Sequence, residues 1–431
     1  MIFWNSCNLI PRRSSSYRVQ TALNDFVKHI LLIENVNFRR LFGAGICSNL
    51  ADGLMLVALP WLATLMTDDP FLIALVFASN RLPWLLFSIP AGVLADMFDR
   101  LLLVGRMDVS RAVAMTFIFV QTLTDIGSQS IYALIGFAFL IGCAEVVRDN
   151  TAQSFLPNIV ASNELERANS QLWSAEKLLG EFVGPPLAGI LIVYMLPLPF
   201  GIYAALLGVS AYFVLRIQIP KEKTSSVSFS SALAEGISYV RSNRTLFRLA
   251  IVLSVANFFA SGMVAIQVVY AQVVLGATAL QYGIILSTGA FGAVIGSFIA
   301  PRIIKRFGPN QCLRICVSMW VFGYAFIGFS GTIWGMAIAL SVVLMAGMIW
   351  NVTTVSWRQK RIPPEILGRA NSIFRFFGWG SIPIGAAFFG ALVKGLGNYV
   401  PHETALTTPF YFSAFGCVLI LVYIRACLRL D

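Results

Sequence analysis

The residues of this chain that could do chemistry are ionisable side chains inside apolar stretches. Asp52 and Arg81 each lie about eleven residues into an apolar run, which is roughly 16 Å deep if the run is helical. Burying a charge in an apolar medium is costly, so such residues are candidates for function. A carboxylate that faces a cation and is partly desolvated can bind and release a proton. We expect Asp52 and Arg81 to form a buried pair that protonation of Asp52 breaks. The alternative is a permanent structural ion pair.

A second group of charges follows in the same half of the chain. Glu145 and Asp149 are four residues apart and share a helix face, with Arg148 on the adjacent turn. Glu181, about 15 Å deep beside a Gly-Pro pair, is the second candidate for proton coupling. Because the only acids after Glu235 are three that fall in predicted loops or the tail, any proton coupling should reside in the first half. These three are Glu365, Glu403 and Asp431.

The composition is that of a polytopic membrane protein. Of 431 residues, 58% are hydrophobic and only 12% charged, against about 25% charged in soluble domains. The two histidines form no cluster, and Cys312 and Cys316 are interpreted as buried small hydrophobes rather than a metal pair. No phosphate-binding G-x-x-x-x-G-K-[ST] motif occurs. We expect no cofactor, no metal, no direct ATP use and no enzymatic activity.

Hydropathy predicts an all-α membrane protein with twelve spans. A bilayer core of about 30 Å needs around 20 apolar residues as helix, because backbone groups cannot stay unpaired in lipid. The predicted spans are 41–66, 70–97, 101–123, 129–150, 171–195, 198–217, 246–274, 281–301, 312–330, 333–356, 369–396 and 406–427.

The placement of positive charge predicts the orientation. Apart from Arg81 and Lys394, the 31 Lys and Arg lie in or next to the tails and the loops on one side. Three connections on the other side, "TDDP", "LPLP" and "SGTIW", contain no basic residue. Basic loops stay in the cytoplasm, so both termini are expected there. The net charge of +11 therefore indicates topology rather than a nucleic-acid partner.

The chain also repeats itself. "ELERANSQLWSAEKLLGEFVGPPLAGIL" at 164–191 is similar to "EILGRANSIFRFFGWGSIPIGAAFFGAL" at 365–392, and each copy enters the fifth span of its half. Two such halves are the organisation of carriers that rock around a midplane site. The predicted parts are a tail (1–40), a six-helix bundle (41–217), a cytoplasmic linker (218–245) and a second six-helix bundle (246–428). Residues 1–38 are expected to be a cytoplasmic tail, or to result from a start codon assigned upstream of the real one. An organellar transit peptide is the alternative.

The stretch "AGVLADMFDRLLLVGR" at 91–106 resembles the loop signature G-x-x-x-D-[RK]-x-G-[RK]-[RK] of the major facilitator superfamily. Met97, Asp99 and Leu101 depart from that signature. The second Asp before Arg is similar to the macrolide-efflux and enterobactin-exporter branch of drug:proton antiporters. The resemblance implies a cytoplasmic gate held shut by Asp96; the alternative is a polar turn that only sets topology. The candidate gate residues are Gly92, Asp96, Asp99, Arg100 and Arg106.

A second motif, "LLGEFVGPPLAG" at 178–189, is similar to the antiporter signature of span five in that superfamily. Gly180, Gly184, Pro185 and Gly189 match, whereas Ala188 replaces a glycine. The resemblance implies a hinge in an exporter that exchanges substrate against cations; a generic kinked, tightly packed helix is the alternative. The superfamily's polar span-four arginine relay has no counterpart in "SIYALIGFAFLIGCAE".

The second half is expected to supply an aromatic and aliphatic cavity wall. Such a wall suits bulky, amphipathic or weakly basic solutes better than sugars. The predicted function is proton-coupled export of a small drug-like or siderophore-like molecule by a monomer in the bacterial cell membrane. Alternatives are a facilitator or importer on the same fold, a membrane enzyme, and a receptor derived from a transporter. The candidate wall residues are Asn257, Gln267, Tyr270, Trp350, Asn351, Arg375 and Trp379.

Overall fold

The computed structural model describes residues 31–124, 130–161, 164–218, 237–428 and 430. Within these ranges the chain is built from helices and contains no strand. A short helical turn, Leu31–Glu34, precedes the long helices. Residues 219–236 of the predicted linker and residues 1–30 of the predicted N-terminal tail lie outside the described residues.

Six long helices form the first half, and acidic caps begin two of them. The Asp69 side chain accepts a hydrogen bond from the backbone of Phe71, and that of Asp99 accepts from Leu101 and Leu102. Such caps satisfy the free N–H groups of a first helical turn. The helices are α1 (Val36–Met66), α2 (Pro70–Met97), α3 (Arg100–Thr122), α4 (Ile131–Phe155), α5 (Leu165–Tyr194) and α6 (Leu198–Leu215).

The second half also consists of long helices, two of which are joined in one continuous stretch. A 52-residue helix, Ala279–Ser330, breaks at Gly308, where φ is 74°, a left-handed conformation that favours glycine. We label its arms α8 (279–307) and α9 (309–330). The remaining helices are α7 (Arg244–Val273), α10 (Ile333–Arg361), α11 (Pro364–Leu396) and α12 (His402–Cys427).

The described helices match the predicted spans closely. Ten helical stretches are long and apolar enough to cross a membrane. One of these is the 52-residue helix with two arms, and α3 is not among the ten. Counting both arms and adding α3 would give twelve; that exact number stays a prediction. The all-helical membrane fold is confirmed.

Each half packs as its own bundle, and two helix pairs join the halves. In the first bundle α1 and α3 pack on α6, and α2 and α3 pack on α4. In the second, α7 packs on α11 and α12, and the long kinked helix packs on α10 and α12. Between the bundles, α2 packs on α11 and α5 packs on α8. We call the helix ends near Asp69 the predicted outer end and those near Asp99 the predicted inner end.

Candidate functional site

The centre of the first bundle contains an ion pair between α1 and α3. Arg111, at the middle of α3 and only 1% exposed, donates to the carboxylate of Asp52, whose side chain is 38% exposed. The Arg111 guanidinium also lies 5.5 Å from the centre of the Tyr203 ring on α6. The predicted pairing of Asp52 with Arg81 is therefore wrong. The two residues were matched by depth, but depth does not determine which helix face a side chain occupies.

Arg81 instead pairs with Glu145, so its ion pair joins α2 to α4. The Arg81 Nη1 and Glu145 Oε1 atoms are 3.4 Å apart. The two helices approach closely because Gly142 has no side chain: a Cβ there would be 2.2 Å from the backbone oxygen of Asn80. Asn80 and Gly142 neighbour the charged pair in sequence, so the glycine contact brings the two charges within reach.

Asp108 is a buried carboxylate between Arg111 and Arg148, and the sequence analysis did not identify it. Its side chain is fully buried, accepts a hydrogen bond of 2.7 Å from Ser210, and lies 3.3 Å from Nε of Arg148. Arg148 Nη1 also donates to Asp149 at 3.0 Å. Asp108 Oδ1 is 3.9 Å from Nη1 of Arg111. The acids and bases therefore alternate along a chain that joins α1, α3 and α4.

We call this set of side chains the charge chain. In order, it is Asp52, Arg111, Asp108, Arg148 and Asp149. It contains three carboxylates but only two guanidinium groups, and the separate Arg81–Glu145 pair is balanced. Arginine stays protonated in proteins, so the surplus charge is negative. A surplus negative charge in a low-dielectric interior favours binding of a proton or another cation.

The two ends of the charge chain are its accessible members. The side chains of Asp52 and Asp149 are 38% and 33% exposed, whereas Asp108 and Arg111 are 0% and 1% exposed. The terminal carboxylates are therefore the members of the charge chain that lie at the surface of the bundle. Among the described residues no group of three or more His, Cys, Asp and Glu side chains could hold a metal ion.

Glu181 lies apart from the charge chain. It accepts from Lys177 one turn earlier on α5, and both side chains are more than one third exposed. The described contacts therefore give Glu181 a local ion pair rather than a place in the buried cluster.

The structure gives local roles to part of the predicted gate motif. Asp99 caps α3 as described above, and Arg106 is an exposed residue of α3 whose carbonyl accepts from Ser110. Arg100 is the first residue of α3. The side chain of Asp96 and the surroundings of Gly92 lie outside the described part of the molecule. The gating role of Asp96 stays a prediction.

The predicted hinge glycines of α5 make two close helix contacts. Glu176–Val183 is a π-helical stretch that leads into Gly184, a local widening of the kind often found at functional sites. A Cβ on Gly184 would be 2.6 Å from the Cα of Gly53 on α1, and one on Gly189 would be 2.5 Å from the Cα of Leu280 on α8. The first glycine therefore packs inside its own bundle, and the second packs against the other bundle. Gly180 is buried, with its carbonyl facing Gly53.

Helix α11 repeats this arrangement with the bundles exchanged. A Cβ on Gly385 would be 2.3 Å from the backbone oxygen of Phe258 on α7, and one on Gly390 would be 3.2 Å from the Cα of Phe71 on α2. Gly385 and Gly390 are spaced like Gly184 and Gly189. The sequence comparison found the repeat but did not assign contacts to the second copy.

Contacts between the bundles extend from the predicted outer end to the middle of the helices. Lys394 on α11 donates to Asp69 at 2.5 Å. Deeper, Ser287 on α8 donates to the carbonyl of Phe182 on α5 at 2.7 Å. On the α2–α11 side, the rings of Trp84 and Trp379 meet edge to face, 4.3 Å between centroids. These contacts close the molecule at that end.

The predicted cavity wall is wrong for three of its seven residues, and for the other four it stays a prediction. Gln267, Tyr270 and Trp350 are buried inside the second bundle, where the Tyr270 hydroxyl donates to the carbonyl of Ile327 and Trp350 packs on Trp320. They do not form an open wall. The wall residues that are not buried are Asn257, Asn351, Arg375 and Trp379. Of these, Asn257 donates to the carbonyl of Gly378 at 2.9 Å and Trp379 meets Trp84.

Two helical bundles, joined by two helix pairs with a buried charge chain in one of them, define a membrane transporter fold. Comparison with known proteins gives the family. The family model described as transmembrane secretion effector (MFS_3) matches residues 32–420, and the chain belongs to this family of the major facilitator superfamily. The protein is therefore a membrane-embedded transporter.

Curated relatives are distant but cover much of the chain. YkuC of Bacillus subtilis, an uncharacterized MFS-type transporter, is 22% identical over 91% of this chain and 92% of its own length. The staphyloferrin A transporter of Staphylococcus aureus is 22% identical over 63% of this chain and 68% of its own.

Solved structures show the same fold. The nucleoside transporter NupG superposes with a TM-score of 0.71 at 14% identity, covering 91% of this chain and 98% of that one. A bacterial homologue of the iron transporter ferroportin, in its inward-facing state, superposes with a TM-score of 0.69 at 14% identity, covering 90% and 98%.

Proposed function

We propose that this protein exports hydrophobic or amphipathic small molecules, of the drug or siderophore class, in exchange for protons. The observation that carries the proposal is the charge chain, whose accessible end, Asp52, pairs with the buried and permanently charged Arg111. The transporter relatives support the fold and the general activity, whereas substrate, direction and coupling are inferred from the site.

Proton binding at Asp52 has a direct route to helix movement. A protonated Asp52 loses most of its attraction for Arg111, which then keeps Glu145 and Asp108, the latter 3.9 Å away, as anionic neighbours. The next residue, Gly53, is the contact of α1 with the hinge of α5, because a Cβ there would be 2.5 Å from the carbonyl oxygen of Gly180. A change in the position of α1 therefore reaches α5, and α5 packs on α8 of the other bundle.

The proposed cycle uses these contacts in sequence. The described state is closed at the predicted outer end by the α2–α11 and α5–α8 contacts, so substrate enters from the cytoplasm. Trp379 and the other exposed wall residues of the second bundle offer it an aromatic, largely uncharged surface. Separation of the outer contacts exposes Asp52 to external protons, and its protonation favours substrate release. Proton loss to the cytoplasm restores the ion pair.

Location and assembly follow from the same proposal. The transporter would lie in the bacterial cell membrane with both termini in the cytoplasm, acting as a monomer on protons and a small-molecule substrate. No nucleic-acid partner is expected, since the positive charge follows the predicted topology.

The test is export by cells and by vesicles. A bacterial strain lacking its own efflux pumps, expressing the wild type, should show increased resistance to at least one compound in a panel of macrolides, cationic dyes and siderophores. A protonophore should abolish accumulation of that compound in inverted vesicles. Asp52→Asn should lose resistance while the protein level in the membrane stays normal, and Glu181→Gln should retain most of it.

Two results would contradict the proposal. Undiminished export by Asp52→Asn would remove Asp52 from the mechanism. Transport that is insensitive to the protonophore and equal in both directions would instead indicate a facilitator on the same fold.

A further inference from the structure

A basic groove with an apolar floor lies between α1 and α6 at the predicted inner end. It has a volume of about 610 Å³ and lies outside the charge chain. Arg39, Arg40 and Arg216 line it together with aromatic and aliphatic side chains, and no acidic residue contributes to the lining. Most of its surface is apolar, and its charged groups are the three arginines.

The shape of the groove is fixed by contacts between the two helices. Arg40 donates to the carbonyl of Arg216, the residue that directly follows α6. A cation at this helix C-terminus is favourable because it faces the negative end of the helix dipole. The guanidinium of Arg216 lies 5.1 Å from the centre of the Tyr212 ring. On the floor, Gly43 allows α6 to approach, because a Cβ there would be 3.3 Å from the ring of Phe213.

Two of the cations remain available to a ligand. Arg39 and Arg216 are exposed, and within the described ranges neither makes an ion pair with a carboxylate. Arg39 is the fourth residue of α1, and Arg216 follows the last residue of α6. Both therefore lie at helix ends, the level of a membrane where lipid headgroups are found.

We propose that this groove binds an anionic phospholipid. The phosphate lies between Arg39 and Arg216, and an acyl chain packs along Phe42 and Ile46 toward the bilayer core. Basic clefts between membrane helices at the cytoplasmic face suit anionic headgroups, and an apolar floor suits the chain that a free anion lacks. This inference does not depend on the substrate or on proton coupling.

A second groove at the same end has similar chemistry. It lies between α9 and α12, has a volume of about 410 Å³, and is lined by Gln311, Arg314 and Arg425 above Ile315 and Phe322. Its lining also contains no acid. Each bundle thus has a basic, apolar-floored groove at the predicted inner end, which is the placement expected for lipid rather than for a substrate path.

The test is lipid binding by the full-length protein in detergent, measured by native mass spectrometry. The probes are phosphatidylglycerol and phosphatidylcholine with the same dioleoyl chains. Arg39→Gln/Arg216→Gln should weaken phosphatidylglycerol binding at one site about 30-fold, or about 2 kcal/mol. Arg39→Gln alone, which leaves the contacts of Arg216 in place, should give a smaller loss of about fivefold.

The matched control is Arg302→Gln/Lys305→Gln. These exposed cations of α8 lie at the same predicted end but line neither groove, so phosphatidylglycerol affinity should stay within about twofold. An equal loss in the control would overturn the proposal, as would equal binding of phosphatidylcholine by the wild type. Displacement of the lipid by inorganic phosphate would mean a free-anion site and would also overturn it.

Discussion

The two bundles share a pattern of close-packed glycines but differ in chemistry. "NLADGL" at 49–54 in α1 corresponds to "FFASGM" at 258–263 in α7, so Ser261 stands in the second bundle where Asp52 stands in the first. The following glycine packs on a helix of its own bundle in both halves: Gly53 against α5 and Gly262 against Phe389 of α11. The comparison separates close packing, which both bundles share, from carboxylates inside the helical bundle, which among the described residues only the first provides.

Ser261 of the second bundle makes a hydrogen bond within its own helix. Its hydroxyl donates to the carbonyl of Phe258 at 2.9 Å, within α7. Asp52 instead depends on Arg111 of another helix, so its protonation state changes a contact between helices. We infer that the first bundle is the half that responds to protons, because its carboxylate makes the contact between helices.

The largest predicted effect comes from removing the buried cation of the first bundle. Arg111→Met leaves Asp52 and Asp108 without a shared partner, and breaking a buried ion pair in this way costs about 3–5 kcal/mol. We expect a strongly lowered unfolding temperature in detergent, measured by intrinsic fluorescence. In the second bundle, Arg375→Met removes an exposed cation and should change it little. Similar losses in both variants would break the comparison.

The second prediction concerns the close-packed glycines that the two bundles share. Gly184→Leu and Gly385→Leu should each reduce transport at least tenfold and cost about 1–3 kcal/mol of stability, because both side chains would overlap backbone atoms. Nothing lies within 4 Å of a Cβ placed on Gly347 of α10, so Gly347→Ala is the control and should transport normally. If only the α5 variant fails, the two glycine contacts are not equivalent.

The third prediction separates charge from packing at the paired positions. Ser261→Ala removes one hydrogen bond within a helix turn and should cost no more than about 1 kcal/mol. Protonophore-sensitive transport should be retained in Ser261→Ala and lost in Asp52→Ala, as measured in inverted vesicles. Loss of coupling in Ser261→Ala would place proton chemistry in the second bundle as well.

The smallest effect is expected at the ion pair between the bundles. Lys394 is 56% exposed, so its contact with Asp69 should contribute only about 0.2–1 kcal/mol to the closed state. The unfolding temperature in detergent should decrease slightly in Lys394→Gln and stay at the wild-type value in Lys394→Arg, which keeps the cation and leaves the Asp69 cap of α2 in place. No change in Lys394→Gln would show that helix packing alone closes this end.

Hydropathy predicted the helices, and a motif predicted the closely packed glycines of α5, because both depend on local sequence. The bounds of α2 were predicted as 70–97 and observed as Pro70–Met97. Gly184 and Gly189 were identified by their resemblance to the antiporter signature, and their contacts show close packing.

Partners across helices could not be predicted in this way. Asp108 and Arg111 were overlooked because the positive-charge count assigned Arg111 to a cytoplasmic loop, whereas it lies at the middle of α3. The position of both residues well inside an apolar stretch was the signal that could have identified them as buried charges. Which cation faces Asp52 depends on how helices rotate and pack, as Gly142 shows for Arg81 and Glu145, and one sequence does not specify that rotation.

The central claim is that Asp52 holds the exchangeable proton of the charge chain. Infrared difference spectroscopy of the purified transporter in lipid, on acidification, tests this without knowledge of the substrate. The account predicts a protonated carboxyl band in the wild type that persists in Asp149→Asn and disappears in Asp52→Asn. A band that persists in Asp52→Asn and disappears in Asp149→Asn would contradict it.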